Sequence, residues 1–179
     1  MNTFLIVYAS GNEQKDCMAT QVWAIMCDFK SSSMMSRTID IPKSLHDDLK
    51  TPMSERSAEV ERKLDKLTHE FLNFNWMYDQ ADVVIAHGVK YNQKMVLAIP
   101  EFDHWGQKKW ICTMQQFEWP LIPNPAKRWL QLKFICEAYG VEFSKMANKA
   151  ELVLKCLLKI GDLPARLANM KPFGEKTKC

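Results

Sequence analysis

The side chains able to do chemistry are widely spaced in this chain. Four histidines (His46, His69, His87, His104) and six cysteines (Cys17, Cys27, Cys112, Cys136, Cys156, Cys179) are scattered with no metal-ligand spacing. The cysteines in apolar segments read as free thiols packed as small hydrophobes in a reducing cytoplasm, so neither a zinc site nor a disulfide framework is expected. Cys179 ends a polar stretch and reads as exposed. His87 follows an apolar run, where a lone histidine reads as a packed, hydrogen-bonded residue. Between Phe102 and Trp119, Lys108 and Lys109 stand among Trp105, Trp110 and Trp119. Aromatic rings stack on unpaired bases and lysines track phosphates, which suits single-stranded nucleic acid. The same rings, with Trp129, fit a protein-binding face or plain core packing as well.

These residues need a scaffold. A chain of 179 residues with 47% hydrophobic and 25% charged residues suits one soluble domain with a real core. Its net charge of +3 permits a nucleic-acid partner without demanding one. No run of about 18 apolar residues occurs, so no membrane span is expected. The N-terminus reads as a first strand rather than a signal peptide. Apolar, β-rich runs predict strands at Thr3 to Val7, Val22 to Met26 and Met34 to Ile41, paired as an antiparallel meander. Gly11-Asn12 reads as a turn, and Lys30 to Ser33 as a polar break. Pro42 to Met53 reads as a loop. An amphipathic helix follows from Glu55, with Ser54 as its cap and Leu64, Leu67 and Phe71 on its apolar face.

Ala81 to His87 has the continuous apolar pattern of a central strand buried on both faces. A short helix is predicted from Lys94 to Ala98, a strand at Trp110 to Met114 and a loop from Phe117 to Pro125. Two further helices are predicted, from Trp129 to Tyr139 with Gly140 beyond its end, and from Lys145 to Ile160. These elements imply an α/β fold, a mixed sheet flanked by helices, over residues 1–160, with 161–179 as a C-terminal tail.

Four segments in this order resemble the DEDDh-type 3′→5′ proofreading exonucleases, whose fold is ribonuclease H-like. Phe4-Leu5-Ile6-Val7-Tyr8-Ala9-Ser10 is similar to the first motif, and Ala81 to Asn92, with Ala86-His87-Gly88-Val89-Lys90-Tyr91-Asn92, to the second. Trp110 to Met114 resembles the strand that follows. Leu132 to Leu158, with Cys136 to Val141 and Ala150 to Leu154, resembles the third motif region. The resemblance covers roughly residues 3–160 and implies a catalytic set of four carboxylates and a histidine. Those carboxylates bind two divalent metals that clamp the attacking and leaving oxygens of a phosphodiester.

On this chain the resemblance places those five positions at Tyr8, Ser10, Asn92, Ser144 and Lys149, and none keeps its residue. About four negative charges are replaced by about one positive charge, which repels dications. Nearby acids (Glu13, Asp16, Asp82, Glu151) do not restore the set. The resemblance therefore implies a catalytically inactive, cytoplasmic exonuclease-fold protein that acts by binding nucleic acid or a protein partner, as a regulator or inhibitor. Lys149, Lys90, Tyr91, Lys108 and Lys109 are its candidate nucleic-acid contacts, with no cofactor. The alternative is an active 3′→5′ exonuclease using Mg or Mn through non-standard ligands.

Overall fold

The first strand, β1, spans Thr3–Gly11, and its Phe4, Leu5, Ile6 and Val7 are all buried. Alternation sends Leu5 and Val7 to one face of the sheet and Phe4 and Ile6 to the other, so both faces need covering. The computed structural model describes residues 2–11, 18–122 and 130–174. Strands β2 (Ala19–Asp28) and β3 (Ser33–Asp40) continue from β1 as the expected antiparallel meander. Strand β4 (Val83–Ala86) pairs parallel to β1, and β5 (Trp110–Cys112) pairs parallel to β4. The resulting order is β3-β2-β1-β4-β5. This is a mixed α/β sheet flanked by helices, compatible with a ribonuclease H-like architecture.

Helix α1 spans His46–Lys50, and two short 3₁₀ turns flank it, so the segment expected as loop carries local helix. Helix α2 runs from Ala58 to Gln80 and is capped by Ser57 rather than Ser54: the Ser57 hydroxyl accepts from Val60 N at 3.3 Å. Its Phe71, Phe74 and Met77 cover one sheet face together with α3 (Val89–Leu97) and a 3₁₀ segment, Pro100–Gln107. The opposite face is covered by α4 (Leu132–Ala138), α5 (Lys149–Leu157) and α6 (Leu163–Asn169). Asn148 caps α5, accepting from Ala150 N at 2.9 Å, which starts that helix four residues later than the periodicity predicts. Asn12 of the predicted turn, Trp129 and Cys179 lie outside the described residues.

The boundary expected at residue 160 moves. Leu163 and Leu167 of α6 belong to the second core, and Phe173 N donates to Trp110 O at 2.8 Å beside β5. Residues 161–173 therefore complete the domain instead of trailing from it. Among the described residues, no helix is long and apolar enough to cross a membrane.

A buried ion pair ties the chain between β3 and α2 to the rest. Arg56 Nη1 lies 2.7 Å from Glu101 Oε1, with side-chain exposures of 3% and 12%. Arg56 also donates to Thr51 O at 2.9 Å and Leu49 O at 3.0 Å. Glu101 Oε2 is buried without a hydrogen-bond partner, so Arg56 carries most of that carboxylate's compensation. Arg56→Met leaves a buried charge alone and is expected to cost about 3 kcal/mol in urea unfolding, whereas Arg56→Met with Glu101→Leu recovers most of the loss.

Candidate functional site

Because β1 and β4 run parallel, their C-terminal ends lie side by side, and the candidate residues gather there. β4 turns into α3 through Gly88, whose φ of 84° lies in the left-handed region that favours glycine. The turn presents Asn92 of α3 back toward β1. Asn92 is 1% exposed and fully engaged. Its Oδ1 accepts from Ala9 N at 2.7 Å, while its Nδ2 donates to His87 O and Gly88 O, both at 3.0 Å. An amide provides both an acceptor and donors, whereas an aspartate carboxylate provides acceptors only. The feature that departs from the exonuclease pattern is thus the one that joins β1 to the β4–α3 turn.

Next to this joint, β1 is irregular. Its register with β2 shifts between Ser10 and Gly11. A Cβ on Gly11 would sit 2.6 Å from Met18 O, so the shift needs glycine. Tyr91 donates its hydroxyl to Gly11 O at 3.1 Å, and Thr20 donates to Ser10 O at 3.0 Å. Tyr91 is therefore engaged with the strand end, while Lys90 is exposed on α3.

Above the joint opens a cleft of about 300 Å³, lined by Tyr8, His87, Met114, Gln131, Leu132, Lys133, Phe143 and Lys149. Two of the five predicted positions, Tyr8 and Lys149, meet here. Ser144 supports Lys149 from behind: the ammonium donates to Ser144 O at 2.9 Å and Lys145 O at 2.8 Å, and lies 4.9 Å from the centre of the Phe143 ring. An ammonium has three protons, so one donor remains for a ligand. Tyr8 packs on Trp23 with ring centres 5.3 Å apart. Burial, then the nearby Tyr91 phenol, raises the Tyr8 pKa, so its hydroxyl stays neutral. His87 Nδ1 is 3.1 Å from Thr113 Oγ1, and burial lowers its pKa to about 4, leaving a neutral ring. Among the described residues, Lys133 and Lys149 are the charged residues of the lining, and Lys133 lies 3.7 Å from Glu137 on the next turn of α4.

Several cleft residues lie in or beside segments of the resemblance without being singled out as site residues. Met114, Gln131 to Lys133 and Phe143 come from three separate segments, and only packing brings them together. Other candidates sit elsewhere. Lys108 Nζ donates to Asp79 O at 2.8 Å and Ala81 O at 2.7 Å, and also to Tyr78 O, closing the C-terminus of α2. Lys109 Nζ donates to Leu167 O at 3.0 Å, beside the end of α6. Both ammonium groups are turned onto carbonyls. Trp105, Trp110 and Trp119 are core residues whose indole N–H groups donate to Asn75 Oδ1, Trp105 O and Thr113 O, so packing accounts for them and they offer no free face to a base. A larger cleft of about 510 Å³ beside α6 contains none of the predicted residues, and its Arg166 is paired with Asp162 at 2.7 Å.

The donor set among the described residues does not fit the two magnesium or manganese ions that the resemblance implies. Asn92 spends its oxygen and nitrogen on backbone, Tyr8 is a neutral phenol and Lys149 is a cation. Asp82 lies at the far end of β4, accepting from Asn2 N at 2.7 Å and Thr3 N at 3.1 Å, and Glu151 is exposed on α5. Glu13 and Asp16 lie outside the described residues. Among the described residues, no group of three His, Cys, Asp or Glu side chains is placed to hold a metal. Compared with known proteins, the chain matches no family model and no curated protein.

Two expectations follow. Asn92→Asp faces a buried carboxylate toward two carbonyls, and should destabilise the fold by about 2–3 kcal/mol at neutral pH in chemical unfolding. The deficit should shrink in acid, where the protonated carboxyl again donates; equal stability to the parent at neutral pH would contradict the role assigned to the amide. For His87, the folded pKa of about 4 lies below the ordinary 6.5. The unfolded chain binds the proton first, so stability falls as pH drops from 6.5 toward 4, by about 3 kcal/mol at most. His87→Gln should flatten this part of a Tm-against-pH curve.

Proposed function

We propose that this protein acts by binding rather than by cleavage, holding an unpaired nucleic-acid end in the cleft between β1, β4 and α5. The carrying observation is the lining itself: among the described residues, Tyr8 and Phe143 supply aromatic surface, and Lys149 and Lys133, the latter 3.7 Å from Glu137, supply positive charge. A base stacks on an aromatic ring without sequence readout, and a lysine with a free donor takes a phosphate oxygen. The resemblance to DEDDh exonucleases supports the same reading, since it puts this cleft where that family engages its substrate. Lys90, exposed on α3, is available to a strand leaving the cleft.

A protein-docking role is the second reading. It is favoured by Leu72 and Trp76, 61% and 48% exposed and one turn apart on α2, because exposed aromatic and aliphatic anchors are typical of interfaces.

Fluorescence anisotropy with short labelled single-stranded oligonucleotides separates these outcomes. Binding should weaken with salt at a log–log slope of roughly −1.4, the value for two phosphate contacts on a single strand. Tyr8→Leu and Lys133→Ala should each weaken binding roughly fivefold or more. No affinity at low salt removes the nucleic-acid reading and leaves the docking one. Magnesium- or manganese-dependent shortening of the oligonucleotide that co-purifies with the protein and is lost in Lys149→Met would overturn the non-catalytic assignment.

A further inference from the structure

Two thiols outside the cleft lie in contact. Cys136 Sγ of α4 and Cys156 Sγ of α5 are 3.8 Å apart, and both residues are 0% exposed. They pack among Ile135, Val153 and Leu157 in the second core. The other two described cysteines, Cys27 and Cys112, are also buried, and no hydrogen bond joins either to another thiol among the described contacts. Closing from 3.8 Å to a bonded separation near 2 Å takes a rotation about one or both Cα–Cβ bonds and a small approach of two helices already packed together.

We propose that Cys136 and Cys156 form a latent disulfide site that locks α4 to α5 when a peroxide-class oxidant reaches it. One cysteine, as its thiolate, attacks a peroxide oxygen; the O–O bond breaks, hydroxide leaves and takes up the released proton as water, and a sulfenic acid forms. The second thiol then attacks that sulfur and expels a second water. Two thiols are oxidised by two electrons, and one hydrogen peroxide is reduced to two waters. Burial holds both thiols protonated, pushing Cys156 up to about 12 and Cys136 up from its ordinary value, so the folded state protects the pair from casual oxidation. Reaction then depends on local opening. Helix α4 has seven residues, and its exposed Lys133, Phe134 and Glu137 show that a single face holds it down.

The lock bears on the cleft without depending on what the cleft binds. Gln131, Leu132 and Lys133 stand at the start of α4, and Lys149 at the start of α5, so both cross-linked helices carry residues of the cleft lining.

The test is treatment of the folded, fully reduced protein with hydrogen peroxide, followed by intact-mass and peptide mapping under non-reducing conditions. The expected product is two hydrogens lighter and links the peptides of Cys136 and Cys156. Its Tm should rise by roughly 5 °C or more, reversibly with dithiothreitol, because a cross-link across 20 residues restricts the unfolded chain. Cys136→Ser and, separately, Cys156→Ala should each abolish both the linked peptide and the Tm rise. Oxygen adducts on the separate cysteines without a linked peptide, a link that forms only after denaturation, or a linked product with an unchanged or lowered Tm would each overturn the proposal.

Discussion

The amide of Asn92 is the joint on which the geometry around the cleft depends. Strand pairing places β1 beside β4 only as far as Ile6 and Ile85. Beyond that point the strands have no ladder to hold them in register, and the β4–α3 turn leaves the carbonyl of His87 facing a protein interior, while Gly88 O already accepts from Tyr91 N and Asn92 N at 3.1 Å. Asn92 answers both needs at once, accepting from Ala9 N and donating to those two carbonyls. Buried backbone groups left unpaired cost more than the hydrogen bonds themselves contribute, so this side chain ties Ala9, next to Tyr8, to the carbonyl of His87.

A second theme is the use of lysine inside the fold. Lys108 closes α2, Lys109 reaches the end of α6, Lys149 closes the turn before α5, and Lys159 donates to Tyr139 O at 2.7 Å at the end of α4. Each pairs an ammonium with carbonyls at a helix end or turn, and for Lys108, Lys109 and Lys159 these lie at helix C-termini, where the dipole also favours a cation. The basic balance of the composition is therefore partly internal. It is not by itself an electrostatic footprint for a polyanion, and the positive charge lining the cleft is that of Lys149 and of Lys133, which lies 3.7 Å from Glu137.

The strands were readable because period-two alternation and continuous apolar runs are local properties. Phe4 to Val7 and Val83 to Ala86 announce burial on both faces, and the sheet order bears this out. Helix starts were less legible. Ser54 and Ser57 are both good caps by type, and the choice fell to Ser57 because the ion pair of Arg56 with Glu101 holds the preceding segment in a separate turn. The segment after Gly161 looked like a tail because prolines and charges dilute its apolar content. Its Leu163 and Leu167 count as core only once the second sheet face is seen to need covering. The aromatic residues around Lys108 were ambiguous for the same reason: composition does not distinguish a ring facing solvent from one packed under a helix.

By itself the sequence determined the five strands, the long helix α2, the α/β class and the residue types at Tyr8, Ser10, Asn92, Ser144 and Lys149, none of them a carboxylate. These are matters of residue type and local periodicity, and they need no partner in space. Tertiary structure alone decided which of those positions share a cleft, that Asn92 is a structural joint, that Lys108 and Lys109 are helix caps, and that Cys136 touches Cys156. Each of these depends on groups far apart in the chain meeting at hydrogen-bond or van der Waals distance, and such encounters are set by how helices pack on a twisted sheet rather than by any neighbouring residue.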